Sequence, residues 1–507
     1  MPSAASPQTP VADAPDGASG GRLRSRPLPV DARGWGRLSA IVLAVGLVFL
    51  VHFRPWQGGL LEEWSIALAW KSEGIDGLFT QMSAMLARPF HLVPYYLGLV
   101  LTDGGLVGQY VVLATLAVAQ LIVAVWALRT LLDDTLLRWT AGLAISLHPW
   151  WIAGDTLRFL GNQVAVLCVV IWLGAALRFL QGRSWWWMCL GWGCTALGLL
   201  TYQGPALSLL VGSAVIAMLS RGARRRRVWL VAGTTLVVLA VTAWSVAIAP
   251  ALEPSSYEAQ LGFGAVDVAA SAKAIARTLL RQAPEVVAFG FALGLIVVAL
   301  GFHRVLPAPR AWLLLGGVAI APASAFVFAA TMLHLNDPER VAFPVGVTLW
   351  LVMCCVLPSM RDHAVLRSLT VGALVVGVAS GTLIGYATWT KFGSAQLSLV
   401  AAVQSVRDDA PPDATLIVAD NSGRYGDVYL LLPPHLDMAL DVTYGDGPYA
   451  ELCTPDGVQR AHPTASVYPI STTPDCSTLL TGADVATTVR VDTVEGPVDI
   501  YVVRPAS

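Results

Sequence analysis

Hydrophobic runs set the pattern of this chain. They recur at 38–53, 107–128, 138–152, 163–180, 185–201, 205–220, 228–249, 285–302, 311–331, 341–358 and 368–389, eleven in all. A helix needs roughly 20 apolar residues to cross the hydrocarbon core of a bilayer, so these runs predict about eleven transmembrane helices. Two further stretches, 60–70 and 89–101, read as amphipathic helices lying on the outer membrane surface. Taking 90–102 as another span would leave a four-residue turn before 107–128 and would invert every later loop. From about Lys391 the apolar runs stop. There 414–420 looks like a buried strand, and 488–494 and 497–503 flank Glu495-Gly496 as a two-residue hairpin turn.

The predicted fold class is therefore an all-α polytopic membrane protein with a small C-terminal α+β domain. Residues 1–36, rich in Pro, Ala, Ser and Gly, form a disordered cytoplasmic tail. Residues 37–390 form the transmembrane domain, with a first outer loop at 54–108. Residues 391–507 form the extracytoplasmic module.

Composition narrows the class. Of 507 residues, 55% are hydrophobic and 13% charged, whereas an average soluble domain is about a quarter charged. A nucleic-acid binder, a collagen-like fibre and a disulfide scaffold are excluded. The charges are segregated. With the N-terminus inside, the inner segments carry the Arg37 cluster, Arg129 with Arg138, Arg178 with Arg183, the run 221–227, Arg304 with Arg310, and Arg361 with Arg367. The outer loops carry fewer, as the positive-inside rule requires. An odd number of spans puts the C-terminal module outside. From Phe392 to Ser507 it holds five basic and fifteen acidic side chains, a balance of −10. A Cys453–Cys476 disulfide is permitted in that compartment. The other cysteines sit in apolar runs as packing residues.

The outer loops carry the candidate chemistry. Glu62-Glu63 follows a Gly-Gly pair in the first loop. Adjacent carboxylates at a membrane surface are costly unless they bind or transfer something, and one with a raised pKa can act as a general base. The plainer alternative is a solvated helix start, where Glu is favoured. Arg88 could hold a phosphate bidentately, with His91 on the same face; it could equally snorkel among headgroups. His148-Pro149 begins the second loop, which holds Asp155 and Arg158, a pair one helical turn apart. Tyr202-Gln203 marks the third outer turn. The fifth reads His334-Leu335-Asn336-Asp337-Pro338-Glu339-Arg340. The candidate substrate-binding residues are thus Arg88, His91, Asp155, Arg158, Tyr202, Gln203, Asn336, Asp337 and Arg340. A carboxylate base with arginines suits transfer from a phosphate-bearing lipid donor. The base takes a proton from the acceptor hydroxyl, and the arginines stabilise the leaving phosphate. Glu62, Glu63 and Asp337 could also hold one divalent cation, Mg or Mn. The module shows no P-loop, HExxH or GxSxG, and Asp420–Arg424 reads as a turn.

The order of these features resembles the GT-C superfamily of integral-membrane glycosyltransferases, in its bacterial protein O-mannosyltransferase-like branch. Glu62-Glu63 matches the family's acidic pair in place. Arg88-Pro89-Phe90 resembles its Arg-Pro-Leu-like start of the second surface helix. His148-Pro149 with Asp155 and Arg158 resembles its second outer turn, and Arg340-Val341-Ala342-Phe343-Pro344 its late Arg-aromatic-Pro segment. The likeness spans roughly 38–390. It implies a polyprenyl-phosphate-linked sugar donor and transfer on the outer face of a bacterial inner membrane. The acceptor would be an envelope glycan, lipid or protein. Glu62 or Glu63 would be the base, and Arg88, Arg158 and Arg340 would lie near the lipid phosphate. Two departures stand out: Glu-Glu where Asp is commoner, and Tyr202-Gln203 where some relatives carry Lys-Glu. The rival readings are a flippase for lipid-linked saccharides and a non-catalytic envelope protein. A flippase should place charges at mid-membrane and often shows repeats, whereas here the charges sit at the outer ends of spans.

Overall fold

The computed structural model describes residues 32–59, 62–151, 154, 156–254, 266–329, 332–360, 363–423, 425, 433–455 and 474–505. The expected disordered tail up to residue 31, Asp155, Arg361 and Arg424 lie outside the described residues, as does the side chain of Glu62. The chain divides into two compact units, Met1–Leu43 and Ala44–Ser507. Of the first, the described part is the opening half of helix α1, Ala32–His52. The second unit holds every other element.

After α1 come three short helices, α2 (Glu62–Glu73), α3 (Asp76–Ala84) and α4 (Val93–Leu101). A helical stack follows: α5 (Leu106–Leu128), α6 (Thr135–Leu147), α7 (Leu160–Leu180), α8 (Trp186–Thr201), α9 (Ala206–Leu219) and α10 (Arg224–Ala243), which runs through a π-helical turn into α11 (Ala249–Leu252). Then come α12 (Val268–Gln282), α13 (Pro284–Phe302), α14 (Ala308–Ile320), α15 (Met332–Leu335), α16 (Pro338–Val356) and the long α17 (Ala364–Arg407). Each of the eleven predicted spans coincides with one of these helices. Among the described residues, seven helical segments are long and apolar enough to cross a membrane: Leu106–Leu128, Leu157–Leu180, Arg224–Leu252, Pro284–Phe302, Ala308–Phe328, Pro338–Met360 and Ala364–Arg407. The other four, Gly36–His52 of α1, α6, α8 and α9, are shorter. Phe291, Phe302, Trp312 and Leu383 remain exposed on the helices, as side chains facing lipid rather than water do. Trp172 and Trp350 are fully buried, and each indole donates inward, to Thr234 Oγ1 at 3.3 Å and the Ala141 carbonyl at 2.9 Å.

The stretch before α5 is not a span. Helix α4 runs only from Val93 to Leu101. That is about 13 Å of helix, against roughly 30 Å of hydrocarbon. It folds back on α5 through Thr102–Gly105, with Asp103 and Gly104 at positive φ (49° and 92°). Gly98 and Gly108 meet backbone to backbone; a Cβ on Gly108 would sit 1.9 Å from the Gly98 carbonyl. Among the described residues, α3, α12 and the short α15 went unpredicted, as did the helices Pro433–Tyr444 and Cys476–Leu480.

The C-terminal module is a four-stranded sheet of β1 (Thr415–Asp420), β2 (Tyr449–Cys453), β3 (Asp484–Thr493) and β4 (Gly496–Arg504), in the order β2-β1-β4-β3. β1 runs parallel to β2, with helix α18 (Pro433–Tyr444) between them in sequence, and antiparallel to β4. The β3–β4 hairpin turns at Val494-Glu495, one residue earlier than predicted, because Thr493 pairs with Gly496 at φ +128°. Cys453 at the end of β2 is bonded to Cys476, which opens α19 (Cys476–Leu480). The module is fastened to the membrane helices through Arg407, the last residue of α17. Its side chain donates to Asp441 at 2.6 Å, to the Gly445 carbonyl at 2.9 Å and to the Pro448 carbonyl at 2.8 Å. Lys71 of α2 donates to the Asp441 carbonyl, so α2, α17 and α18 are tied at one residue.

Candidate functional site

Four separate loops meet at one end of the helix stack. Arg158 lies in the 3-10 turn Leu157–Phe159 that leads into α7 and is 8% exposed. Asp337 caps α16: its Oδ1 accepts from the amides of Glu339 (3.0 Å) and Arg340 (3.4 Å). Its other oxygen faces Arg340 Nε at 3.2 Å and Arg158 Nη2 at 3.8 Å, while Arg158 Nη1 reaches Glu339 at 3.4 Å. Asp–Pro at a helix start explains the local fold, since Asp is a strong N-cap and Pro is pre-set for the first helical position.

Arg88, from the first loop, joins this group. Together with Arg340 it acts electrostatically on His91, Tyr202 and His334. Burial lowers His91 to about 3, with Arg88 and Arg340 adding to the effect. His334 is likewise lowered to about 3, by burial first and then by Arg340, Arg88 and Arg158. Both imidazoles are therefore neutral at physiological pH. His91 Nδ1 lies 3.2 Å from the Thr201 carbonyl; a carbonyl only accepts, so Nδ1 carries the proton and Nε2 is the acceptor. Burial raises the Tyr202 hydroxyl, which keeps it protonated as a donor. Among the described residues, three arginines face the carboxylates of Asp337 and Glu339, with neutral histidines, a surplus of positive charge suited to an anion.

The surrounding contacts fix these side chains. Tyr95 donates to the Arg158 carbonyl at 2.9 Å. Gln203 donates to the Ala87 carbonyl and to Ser245, both at 3.2 Å, holding the segment before Arg88. An aromatic floor of Trp151, Phe159, Phe343 and Tyr202 lies beneath, with ring centroids 4.7 to 5.9 Å apart. Arg88, His91, Arg158, Tyr202, Asp337 and Arg340 are thus brought together. Gln203 supports the group from behind. Asn336 is exposed on its turn and bonds to none of them among the described residues.

Glu63 belongs to an adjoining buried polar set and is 0% exposed, although it lies in the first turn of a helix in the first loop. Tyr110 stands within electrostatic reach of both Glu63 and Arg54, and its hydroxyl donates to the Gly58 carbonyl at 2.7 Å. Arg54 is also 0% exposed; it donates to the Tyr386 carbonyl and stacks over that ring at 5.2 Å. Burial pulls it down to about 10, which leaves it charged at neutral pH. Gly58, at φ +69°, lets the backbone pass Gln396, whose amide donates to the Gly59 carbonyl. The set continues inward. His148 at φ +46° bonds Gln163 at 2.9 Å, and Gln163 accepts from Gln120 at 2.7 Å. The two sets are joined by apolar packing, in which Ile66 and Ala67 of α2 pack with Leu92, Tyr95, Leu157 and Leu160 around the turn that bears Arg158.

Sequence reasoning gave no site role to Arg54, Tyr110, Gln163 or Glu339. Among the described residues, no group of three or more His, Cys, Asp or Glu could hold a metal ion. Asp337, one of the three ligands expected for Mg or Mn, is already engaged by two arginines and two amides.

No protein-family model matches the chain, and no curated protein does. Among solved structures, the chain is similar to ArnT from Cupriavidus metallidurans bound to undecaprenyl phosphate. The identity is 14% and the TM-score 0.45, over 93% of this chain and 98% of that one.

Proposed function

We propose that this chain is a membrane glycosyltransferase that moves a sugar from a polyprenyl-phosphate donor to an acceptor hydroxyl at the outer membrane surface. The observation that carries the reading is the convergence of Arg88, Arg158 and Arg340, from three loops distant in sequence, on one partly buried site with Tyr202 and neutral His91 and His334. Partly buried guanidinium groups can bind phosphate in two-pronged fashion, and their effect exceeds what it would be in water. The order of the loop motifs and their resemblance to the GT-C superfamily point the same way.

In the proposed step the acceptor oxygen attacks the anomeric carbon of the sugar. The carbon–oxygen bond to the lipid phosphate breaks, and polyprenyl phosphate leaves with the bonding pair. The arginines take up the charge that grows on the phosphate. The acceptor proton goes to a first-loop carboxylate. Glu63 supports that role by its burial beside Tyr110 and by the packing of α2 against the Arg158 turn; Glu62 is the alternative base. The acceptor is an envelope glycan, lipid or protein, and the catalytic face is extracytoplasmic. The deciding experiment measures sugar transfer by Glu62→Gln and Glu63→Gln proteins in proteoliposomes. Loss of a general base should cost roughly 10²-fold or more, with the chain folded and donor still bound. Wild-type transfer by both variants would sink the mechanism, and donor movement across the bilayer without transfer would favour a flippase.

A further inference from the structure

A basic cavity lies at the far end of the helices that carry the site. α7, α9 and α16 begin close to Arg158, Tyr202-Gln203 and Asp337, and their other ends, near Leu177, Leu219 and Cys355, line a cavity of about 940 Å³. Helix α7 spans 21 residues. Its length puts roughly 30 Å between the two regions. The rim carries Arg221, Arg226 and Arg310, and among the described residues no acidic side chain lines the space. Three like charges around one space repel unless an anion joins them. Arg226 is held in place: Nη1 donates to the carbonyls of Phe179 and Arg183, both at 2.6 Å, and the guanidinium stacks over Phe179 at 5.0 Å.

Two helix starts add to the positive field. α10 begins at Arg224 behind Ala223, and α14 at Ala308 behind Pro307, and neither has a side-chain cap. At α10 Arg226 and Arg227 already donate to the Ala223 carbonyl, and at α14 Pro309 has no N–H and Arg310 donates to the Pro307 carbonyl, so the contribution of these starts is the positive end of each helix dipole. Deeper in, the walls are apolar, with Leu177, Ile216 and Leu314. The cavity therefore offers cations at its mouth and hydrocarbon within.

We infer that this cavity binds the phosphate-bearing headgroup of an anionic membrane lipid, with the start of its acyl chains against the leucine wall. A free phosphate would satisfy the arginines but leave the apolar interior empty. Basic pockets between helices at a membrane surface are suited to such headgroups. The site is independent of the proposed transferase reaction.

The test uses the full-length protein in nanodiscs of phosphatidylcholine with a minor share of phosphatidylglycerol, read by native mass spectrometry for retained lipid and by thermal shift. Phosphatidylglycerol should be retained well above its share of the mixture and should raise the melting temperature. R221Q/R310Q should cut that retention by about 25-fold, taking about fivefold for each arginine near a membrane surface. This pair spares Arg226, whose carbonyl contacts bear on folding. R224Q/R225Q, exposed and off the cavity lining, should retain lipid like wild type. Equal loss in both double variants would overturn the site in favour of a diffuse surface charge. The inference would also fail if inorganic phosphate in pure phosphatidylcholine discs gave the full stabilisation, or if no enrichment of phosphatidylglycerol appeared.

Discussion

Arg158 offers a sharp test of the arginine site, because its structural and functional contributions differ in size. Its side chain is 6% exposed and pairs with Asp337 and Glu339. Removing one partner of a buried ion pair typically costs about 3–5 kcal/mol when the other charge is stranded. Here Asp337 keeps Arg340 at 3.2 Å and two helix-start amides. Glu339, 12% exposed on its side chain, keeps some access to water. Arg158→Met should therefore cost about 1–3 kcal/mol, in the range of an unmade buried hydrogen bond to a charged group, and lower the melting temperature by a few degrees. Loss of a donor aimed at charge developing in the transition state costs about 10²–10³ in turnover. The expected pattern is a modest fall in stability with a large fall in kcat. Arg158→Lys, which keeps the charge but not the fork, should fall between. The assay follows release of polyprenyl phosphate from a labelled donor in proteoliposomes, normalised to folded protein. If Arg158→Met folds and turns over within threefold of wild type, Arg158 only braces Asp337 and the phosphate-clamp argument is wrong.

Other consequences follow from the same geometry. His91 and His334 sit near 3 in the folded chain against 6.5 when free. The unfolded state alone therefore takes up protons between those values, and stability should fall as pH drops from 6.5 toward 3. His334→Gln should flatten the slope by about 1.4 kcal/mol per pH unit, seen in melting temperature against pH. The Cys453–Cys476 bridge closes a segment of sequence separation 23. Its removal by Cys453→Ser with Cys476→Ser should cost the module about 3 kcal/mol, visible as protease sensitivity confined to the module. Arg407→Ala should strand Asp441 and leave the Gly445 and Pro448 carbonyls without their donor. The expected cost is about 3–5 kcal/mol. Proteolytic release of the module while the membrane helices stay intact would register it; an unaltered digest would mean the latch does not hold the module.

The membrane helices were legible because one physical signal, a long apolar run, fixes both their existence and their approximate ends. The sheet was partly legible for the same reason: β1 is apolar along its length, and the β3–β4 turn is marked by Gly496. α12 was missed although its signal is present. Asp267 caps it, and Ser271, Ala274, Ile275, Thr278 and Leu279 form its buried face, but these mostly small residues are interleaved with Lys273, Arg277 and Arg281 and make no long apolar run. α3 is short and polar, with little periodicity to show. Of the site, the residue types with unusual charge at span ends were visible. Their company was not, since only folding brings residue 88 to residue 340. Arg54 and Tyr110 carry no mark in the sequence, where each reads as an ordinary interfacial residue. Each is held by a partner far away in sequence, Arg54 by Tyr386 and Tyr110 by the Gly58 carbonyl.

One unbroken helix joins the bilayer to the C-terminal module. α17 has 44 residues. At the rise of an ideal helix that is about 66 Å of rod, of which roughly 30 Å suffices for the hydrocarbon. The remainder acts as a ruler, setting both height and compass bearing. Each residue added or deleted in that stalk would turn everything beyond it by about 100° and shift it by about 1.5 Å. A single insertion beyond the membrane would swing Arg407 and Asp441 together away from Lys71 of α2 while leaving each half of the chain individually sound. The stalk's length in whole residues is therefore a quantity that evolution of this protein cannot change in small steps.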